Sequence, residues 1–394
     1  MVSDKVRMPN MSEKNEKEYT ISGRKFKMSD FPDYVGGMPP DPAVIHDIDY
    51  LDEIEKIWGR KWGDQGIGQL KEVALVKATD HENHEVFLDK QNQEYFMMTY
   101  GEADLPALRE QQEDYARTLE EEGVKVRWME YEDPWGAYGP LRKMFVGALL
   151  GTVLRNGVIL RRYGQGAYLR GLNRHTQKFF TDIGCPISLQ ITGKGILEPA
   201  WPWVAEGVVV GGFGRACNRE GLEQALPQFK AAGLREIVMG SSSSIHATMQ
   251  SSGAFHMDGV LNIVDAGLAV VYPPQLDFGV YKWLADHGIE MIEVPPEEQH
   301  LLPCNGMLLE PGKLIQGVET PKTNRELEKR GVEVIEVETS QIKMGGVNGI
   351  RCITCRLHRE PGPELEEVAR KIPDNKPDGL VNFVSGDNYE KGNF

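Results

Sequence analysis

The chain has 394 residues, 40% of them hydrophobic, and 59 acidic against 44 basic side chains give a net charge of −15. This is enough apolar material for one large or two ordinary globular domains, while the negative charge repels phosphate backbones and anionic bilayers, so no nucleic-acid or membrane partner is expected. Apolar runs such as Val146 to Leu154 fall far short of the roughly 18 residues of a membrane span, the first residues lack a signal-like apolar stretch, and an odd count of five cysteines makes no disulfide framework; a cytoplasmic protein with reduced thiols is expected.

Residues 1–64 are polar and irregular. Pro9, Pro32, Pro39, Pro40 and Pro42 break periodicity ahead of a short amphipathic stretch, Tyr50 to Trp58, and the segment reads as an N-terminal arm. From Lys71 a pattern recurs in which an amphipathic helix ends at a glycine and a short apolar strand follows at once. The glycines are Gly123, Gly233, Gly288 and Gly331, with Gly184 as a weaker fifth, and further apolar strands (Gly157-Val-Ile-Leu, Gly207-Val-Val-Val, Gly267-Leu-Ala-Val-Val) fall between them. Repeats of strands and one helix suggest a radial or solenoid array, because one such unit cannot bury its apolar face alone. Five units closing into a ring would bring Glu198, His256 and Cys352 to a common axis; an open α/β sheet that merely alternates elements fits the periodicity equally. A catalytic domain over 65–360 and a C-terminal tail over 361–394 complete the expected organisation.

Glu198, in Gly-Ile-Leu-Glu-Pro-Ala-Trp, lies in a stretch rich in aromatics (Trp201, Trp203). A carboxylate there can hold a protonated imidazole, although alone it reads as a solvated surface acid. The segment Val208 to Asn218 has the outline of a strand, glycine turn and helix start. As a dinucleotide loop it offers Gly212 and Gly214 but Cys217 in the third place, and the next strand, Glu236-Ile-Val-Met-Gly, ends without the ribose-binding acid, so no cofactor is expected. Arg215 in that turn suits a substrate carboxylate instead.

His256 and Asp258 precede the apolar run Leu261-Asn-Ile-Val. On an extended segment their side chains share a face, where the imidazole works as acid/base and the carboxylate binds a cation; the alternative is a histidine satisfied by a structural carboxylate. Cys352 follows Gly345, Gly346 and Gly349 and adjoins Arg351, a setting that suits a nucleophilic thiol better than an inert buried one. Cys355 completes a Cys-x-x-Cys with no second pair, so a metal site is not expected.

Together these residues resemble the guanidine-modifying superfamily of arginine deiminases, dimethylarginine dimethylaminohydrolases and glycine amidinotransferases, over roughly Leu70 to Glu360. Arg-Cys-Ile-Thr-Cys is similar to that family's nucleophile loop, Phe-His-Met-Asp to its His-x-Asp motif, and Leu-Glu-Pro-Ala with the following Gly-Arg-Ala-Cys-Asn to its glutamate strand and arginine turn. The resemblance implies Cys352 as nucleophile, His256 as general acid/base, Glu198 as support for the histidine, Asp258 as a guanidinium-binding carboxylate and Arg215 as a substrate-carboxylate ligand. It also implies an α/β fold of the pentein kind, a five-bladed propeller of ββαβ units forming a single catalytic domain with the N-terminal arm outside it. The sequence departs from the family twice. Where a Phe-x-Arg-Asp clamp for the guanidinium is usual, this chain has Phe145-Val-Gly-Ala-Leu-Leu-Gly and no acid between Phe145 and Arg162, and Pro199-Ala200 replaces the usual Gly-Gly after the glutamate. Both changes point to a smaller, less cationic or differently held amidine.

The expected activity is cysteine-dependent hydrolysis of a C–N bond in a small guanidine or amidine through a covalent amidino-thioether. Passage of the amidino group to an amine, by an amidinotransferase, is the alternative; a non-catalytic binding protein and a dinucleotide-dependent oxidoreductase are remoter. A homo-oligomer stays open, with the arm available to wrap a second copy.

Overall fold

The computed structural model describes residues 17–21, 23–30, 49–78, 104–130, 151–164, 173–242, 256–344, 349–373 and 379–385. Contacts divide the chain into two bodies, Met1–Lys61 and Trp62–Phe394. In the first, β1 (Tyr19–Ile21) pairs antiparallel with β2 (Arg24–Phe26), and α1 (Tyr50–Lys56) starts where the Asp49 side chain accepts a hydrogen bond from the Leu51 amide. Asp64, placed in the arm by composition, belongs to the second body, where its carboxylate is bound by Arg356 and Arg359.

The second body is built by repetition. Its elements are β3 (Leu70–Val76), α2 (Leu105–Glu121), β4 (Lys125–Met129), β5 (Thr152–Leu154), β6 (Gly157–Leu160), α3 (Asn173–Asp182), β7 (Ile187–Gln190), β8 (Trp203–Ala205), β9 (Val208–Phe213), α4 (Arg219–Ala231), β10 (Glu236–Ser241), β11 (Leu261–Asp265), β12 (Leu268–Val271), α5 (Phe278–Asp286), β13 (Glu290–Glu293), β14 (Met307–Glu310), β15 (Lys313–Gly317), α6 (Pro321–Glu328), β16 (Glu333–Val337), α7 (Ser340–Met344), β17 (Thr354–Arg359), α8 (Leu365–Val368) and β18 (Val381–Phe383). Four times an antiparallel strand pair is followed by a helix and a third strand parallel to the second: β5-β6-β7, β8-β9-β10, β11-β12-β13 and β14-β15-β16. The remaining sheet draws on both ends of this body, since β17 pairs antiparallel with β3 and β3 runs parallel to β4.

Burial follows from this order. The middle strands β6, β9, β12 and β15 are almost wholly buried and carry the continuous Val, Ile and Leu runs of a strand covered on both faces. The five glycines that close the helices all have positive φ, from 68° at Gly288 to 91° at Gly233, a conformation in which any Cβ would be strained. Gly184, the weakest of these signals in the sequence, does the same work as the rest, with φ of 75° ahead of β7. The segment expected as a C-terminal tail contributes α8 and β18, and β18 adds to the β8-β9-β10 sheet parallel to β10. No described helix is long and apolar enough to cross a membrane.

Candidate active site

Glu198 is fixed by backbone before its side chain does anything. Its amide donates to the Ala216 carbonyl (2.7 Å), in the turn between β9 and α4, and its carboxylate Oε1 accepts from the Gly164 amide at 2.7 Å. The other oxygen, Oε2, accepts from His256 Nε2 at 3.1 Å. The carboxylate is almost fully buried and the imidazole mostly so, so the pair is shielded from competing water on the acid's side. The turn that could have been a dinucleotide loop is thus the cradle of Glu198. Arg215 sits exposed in the same turn, its backbone carbonyl against Gly164.

His256 and Asp258 do not lie on an extended segment. His256 is extended (φ −115°, ψ 146°), but Met257–Gly259 form a single 3-10 turn whose Val260 amide returns to the Met257 carbonyl. The turn sends the two side chains to different partners: His256 to Glu198, and buried Asp258 to Arg351, whose Nε stands 3.5 Å from Asp258 Oδ2. Pro199-Ala200, the departure from the family pattern, takes part in holding the turn, for the Asp258 amide donates to the Ala200 carbonyl at 3.3 Å.

Cys352 lies in the tight turn before β17, and one residue that sequence reasoning missed organises it. The carbonyl of Asn305 accepts from the Arg351 amide (3.1 Å), its side-chain oxygen accepts from the Cys352 amide (3.0 Å), and its Nδ2 donates to the Asp258 carbonyl (3.4 Å). Asn305 therefore ties the turn that carries Cys352 to the turn that carries His256 and Asp258. The available signal was its neighbourhood, Leu302-Pro-Cys-Asn-Gly: Leu302 holds φ of 57°, the one positive value for a non-glycine among the described residues, and starts the short 3-10 turn that aims Asn305. Gly349 must be glycine for the same reason, since a Cβ there would stand 2.3 Å from Asn305 Oδ1. Gly345 and Gly346 lie outside the described residues, as does the first part of the stretch that lacks the clamp acid, residues 145–150.

The thiol itself is a poor acid at rest. Burial and the nearby Asp258 carboxylate push Cys352 up to about 12, against the Gly349 amide, the Asn305 side chain and Arg351, which pull the other way. Cys352 is nonetheless the one partly exposed cysteine; Cys185, Cys217, Cys304 and Cys355 are buried. Cys355 turns away from the site, its sulfur 3.8 Å from the Gly151 carbonyl. Two pairs thus meet around one turn, Glu198 with His256 and Asp258 with the Arg351-Cys352 segment, and among the described residues no group of three or more His, Cys, Asp or Glu side chains is arranged to hold a metal ion.

The arginine deiminase family model matches residues 275–359, which include Cys352. The chain is 32% identical to 2-nitroimidazole nitrohydrolase from Mycobacterium sp. strain JS330 over 365 residues, covering 88% of this chain and 96% of that protein. Its fold is similar to that of dimethylarginine dimethylaminohydrolase from Pseudomonas aeruginosa complexed with citrulline (TM-score 0.54, 16% identity, 73% of this chain and 99% of the other). It is similar too to the product-bound N-terminal domain of ArgZ, a cyanobacterial arginine dihydrolase (TM-score 0.57, 16% identity, 74% and 98%). At such identities the likeness to the solved structures is one of fold.

Proposed function

This chain belongs to the guanidine-modifying superfamily, and from that premise we propose that it is a cysteine-dependent C–N hydrolase for a small uncharged amidine of the 2-nitroimidazole kind. One observation carries the choice of substrate: Asp258, the acid that would receive a substrate cation, already faces the buried guanidinium of Arg351 at 3.5 Å. A second guanidinium would have to be stripped of water beside the first, while a neutral ring meets no such penalty. The absence of any acid between Phe145 and Arg162 supports the same reading. Carbon 2 of a 2-nitroimidazole lies between two ring nitrogens, so it is an amidine carbon with a good leaving group attached.

In the proposed sequence Cys352 gives its proton to His256 as sulfur bonds to that carbon, and the carbon–nitrogen bond breaks with its electron pair leaving on nitrite. The proton passes to solvent. A water oxygen then bonds to the same carbon while His256 takes one of its protons, the carbon–sulfur bond breaks with its electron pair returning to sulfur, and a cyclic urea departs. Glu198, 3.1 Å from His256 Nε2, orients the imidazole in both steps. Asn305 holds the Cys352 amide in place. Arg215 enters only with a substrate that bears a carboxylate. An amine in place of water would give group transfer from the same intermediate.

We also infer that the five ββαβ units close around an axis as a five-bladed propeller. In support, β17 packs on β5, β8 on β11, β11 on β14 and β14 on β3, while α4 packs on β7, so the adjacency returns to its start.

The test is product analysis with purified protein. Nitrite released from 2-nitroimidazole without an amine acceptor is the expected result; citrulline from arginine with no nitrite from the nitroimidazole would overturn the substrate assignment.

A further inference from the structure

Beside Arg351, next to the turn that carries Cys352, lies a small half-open cavity with an unusual lining. Its charged walls are three arginines, Arg351, Arg356 and Arg359, and one acid, Asp64. The acid is fully used: Oδ1 accepts from Arg359 Nε at 2.9 Å and Oδ2 from Arg356 Nε. Arg359 also donates from Nη1 to the carbonyls of Gly68 and Leu309 and from Nη2 to that of Leu308. Arg351 gives its terminal nitrogens to Asn262 Oδ1 (3.0 Å) and the Trp201 carbonyl (2.9 Å), while its buried Nε makes no hydrogen bond and stands 3.5 Å from Asp258. Counting Asp258 with Asp64, three positive charges face two negative ones. Glu206, the next acid acting on Arg359, is already paired with Arg155 at 2.5 Å.

A surplus charge on guanidiniums this shielded, with side chains 4 to 13% exposed, is costly unless a counter-ion accompanies it. The cavity measures about 20 Å³, room for one guest the size of a water molecule or a halide ion. Water would satisfy a donor and leave the charge in place. We propose that this cavity is a binding site for one monovalent, halide-sized anion, held between the guanidiniums of Arg351 and Arg356 as a permanent counter-ion of the arginine cluster. The ion is distinct from the substrate, and its binding does not depend on which substrate the enzyme takes.

Thermal unfolding of the full chain, in chloride against gluconate at equal ionic strength, tests this with crystals grown in bromide. The midpoint is expected to rise by about 2 to 3 °C between chloride-free buffer and chloride at roughly ten times its dissociation constant. Sulfate, too large for the cavity, should give no such rise, and an anomalous bromide peak should lie beside Arg351 and Arg356. Arg356→Met, which removes the surplus charge, should abolish the chloride effect; if that variant does not fold, the bromide map of the unaltered protein decides alone. Equal midpoints in chloride and gluconate, an equal rise in sulfate, or a cavity holding only water in the bromide crystals would each overturn the site.

Discussion

Pushed up to about 12, the Cys352 thiol rests protonated at neutral pH, and under the proposed mechanism its proton moves to His256 as substrate is attacked. Alkylation of the resting enzyme by iodoacetamide at pH 8 should therefore be at least about 100-fold slower at Cys352 than at a cysteine of the unfolded chain, and should climb steadily as pH is raised; fast labelling at pH 8 would show a thiolate already present. Glu198→Gln keeps a similar shape but removes the charge facing His256, and a drop in kcat of about 10- to 100-fold with little change in KM is expected from steady-state assays. Asn305→Ala leaves the Cys352 amide without its acceptor, at a cost of about 1 to 3 kcal/mol in denaturant unfolding together with a loss of turnover. The pairing of Glu198 with His256 was legible in the sequence because each stands out from its surroundings as a candidate for proton chemistry. Asn305 was not, because an asparagine two places after a proline and just before a glycine reads as turn chemistry, and its value lies in three hydrogen bonds to segments more than 40 positions away.

Among the elements, the helix ends were the most legible feature, since a glycine closing an amphipathic run has a local backbone reason that no distant contact overrides. The geometry of residues 256–258 was misjudged for the opposite reason. Alternation presumes a strand, but the Asp258 amide is claimed by the Ala200 carbonyl, and the chain folds into a 3-10 turn before β11 begins. The turn that carries Cys352 is braced from α2 as well: the Tyr115 hydroxyl is 2.8 Å from Thr354 Oγ1, which in turn donates to the Ile350 carbonyl at 2.7 Å. Gly349→Ala drives a methyl group into Asn305 and should cost about 1 to 3 kcal/mol in unfolding experiments and at least tenfold in kcat, while Gly331→Ala, whose added Cβ has nothing within 4 Å, should cost stability through its φ of 85° alone and leave kcat unchanged.

At the scale of the whole molecule, stability is tied to groups whose protonation differs between folded and unfolded chain. Burial pushes Cys217 and Cys352 up to about 12 and Cys355 to about 11, and it raises Cys304 and Tyr115 as well. Below about pH 9 these thiols are protonated in both states, so their contribution is fully present. Between about 9 and 12 the unfolded chain ionises and the folded one does not, and stability should fall by about 1.4 kcal/mol per pH unit for each such thiol. At the acid end Asp64, pushed up by burial but held down to about 2 by Arg356 and Arg359, contributes stability that is present above its ordinary carboxylate range and lost as pH falls through about 2. Urea unfolding across pH should show both flanks. What the composition could not foresee is that Asp64 and β17, from opposite ends of the second body, are bound to each other, because that closure depends on long-range register and not on any local pattern. The covalent role of Cys352 is tested most directly by quenching the enzyme in acid during turnover of 2-nitroimidazole and mapping the peptides by mass spectrometry. The peptide containing Cys352 should carry the imidazolyl group, with Cys355 unmodified; full turnover with no adduct on Cys352, or turnover retained by Cys352→Ser, would contradict the mechanism.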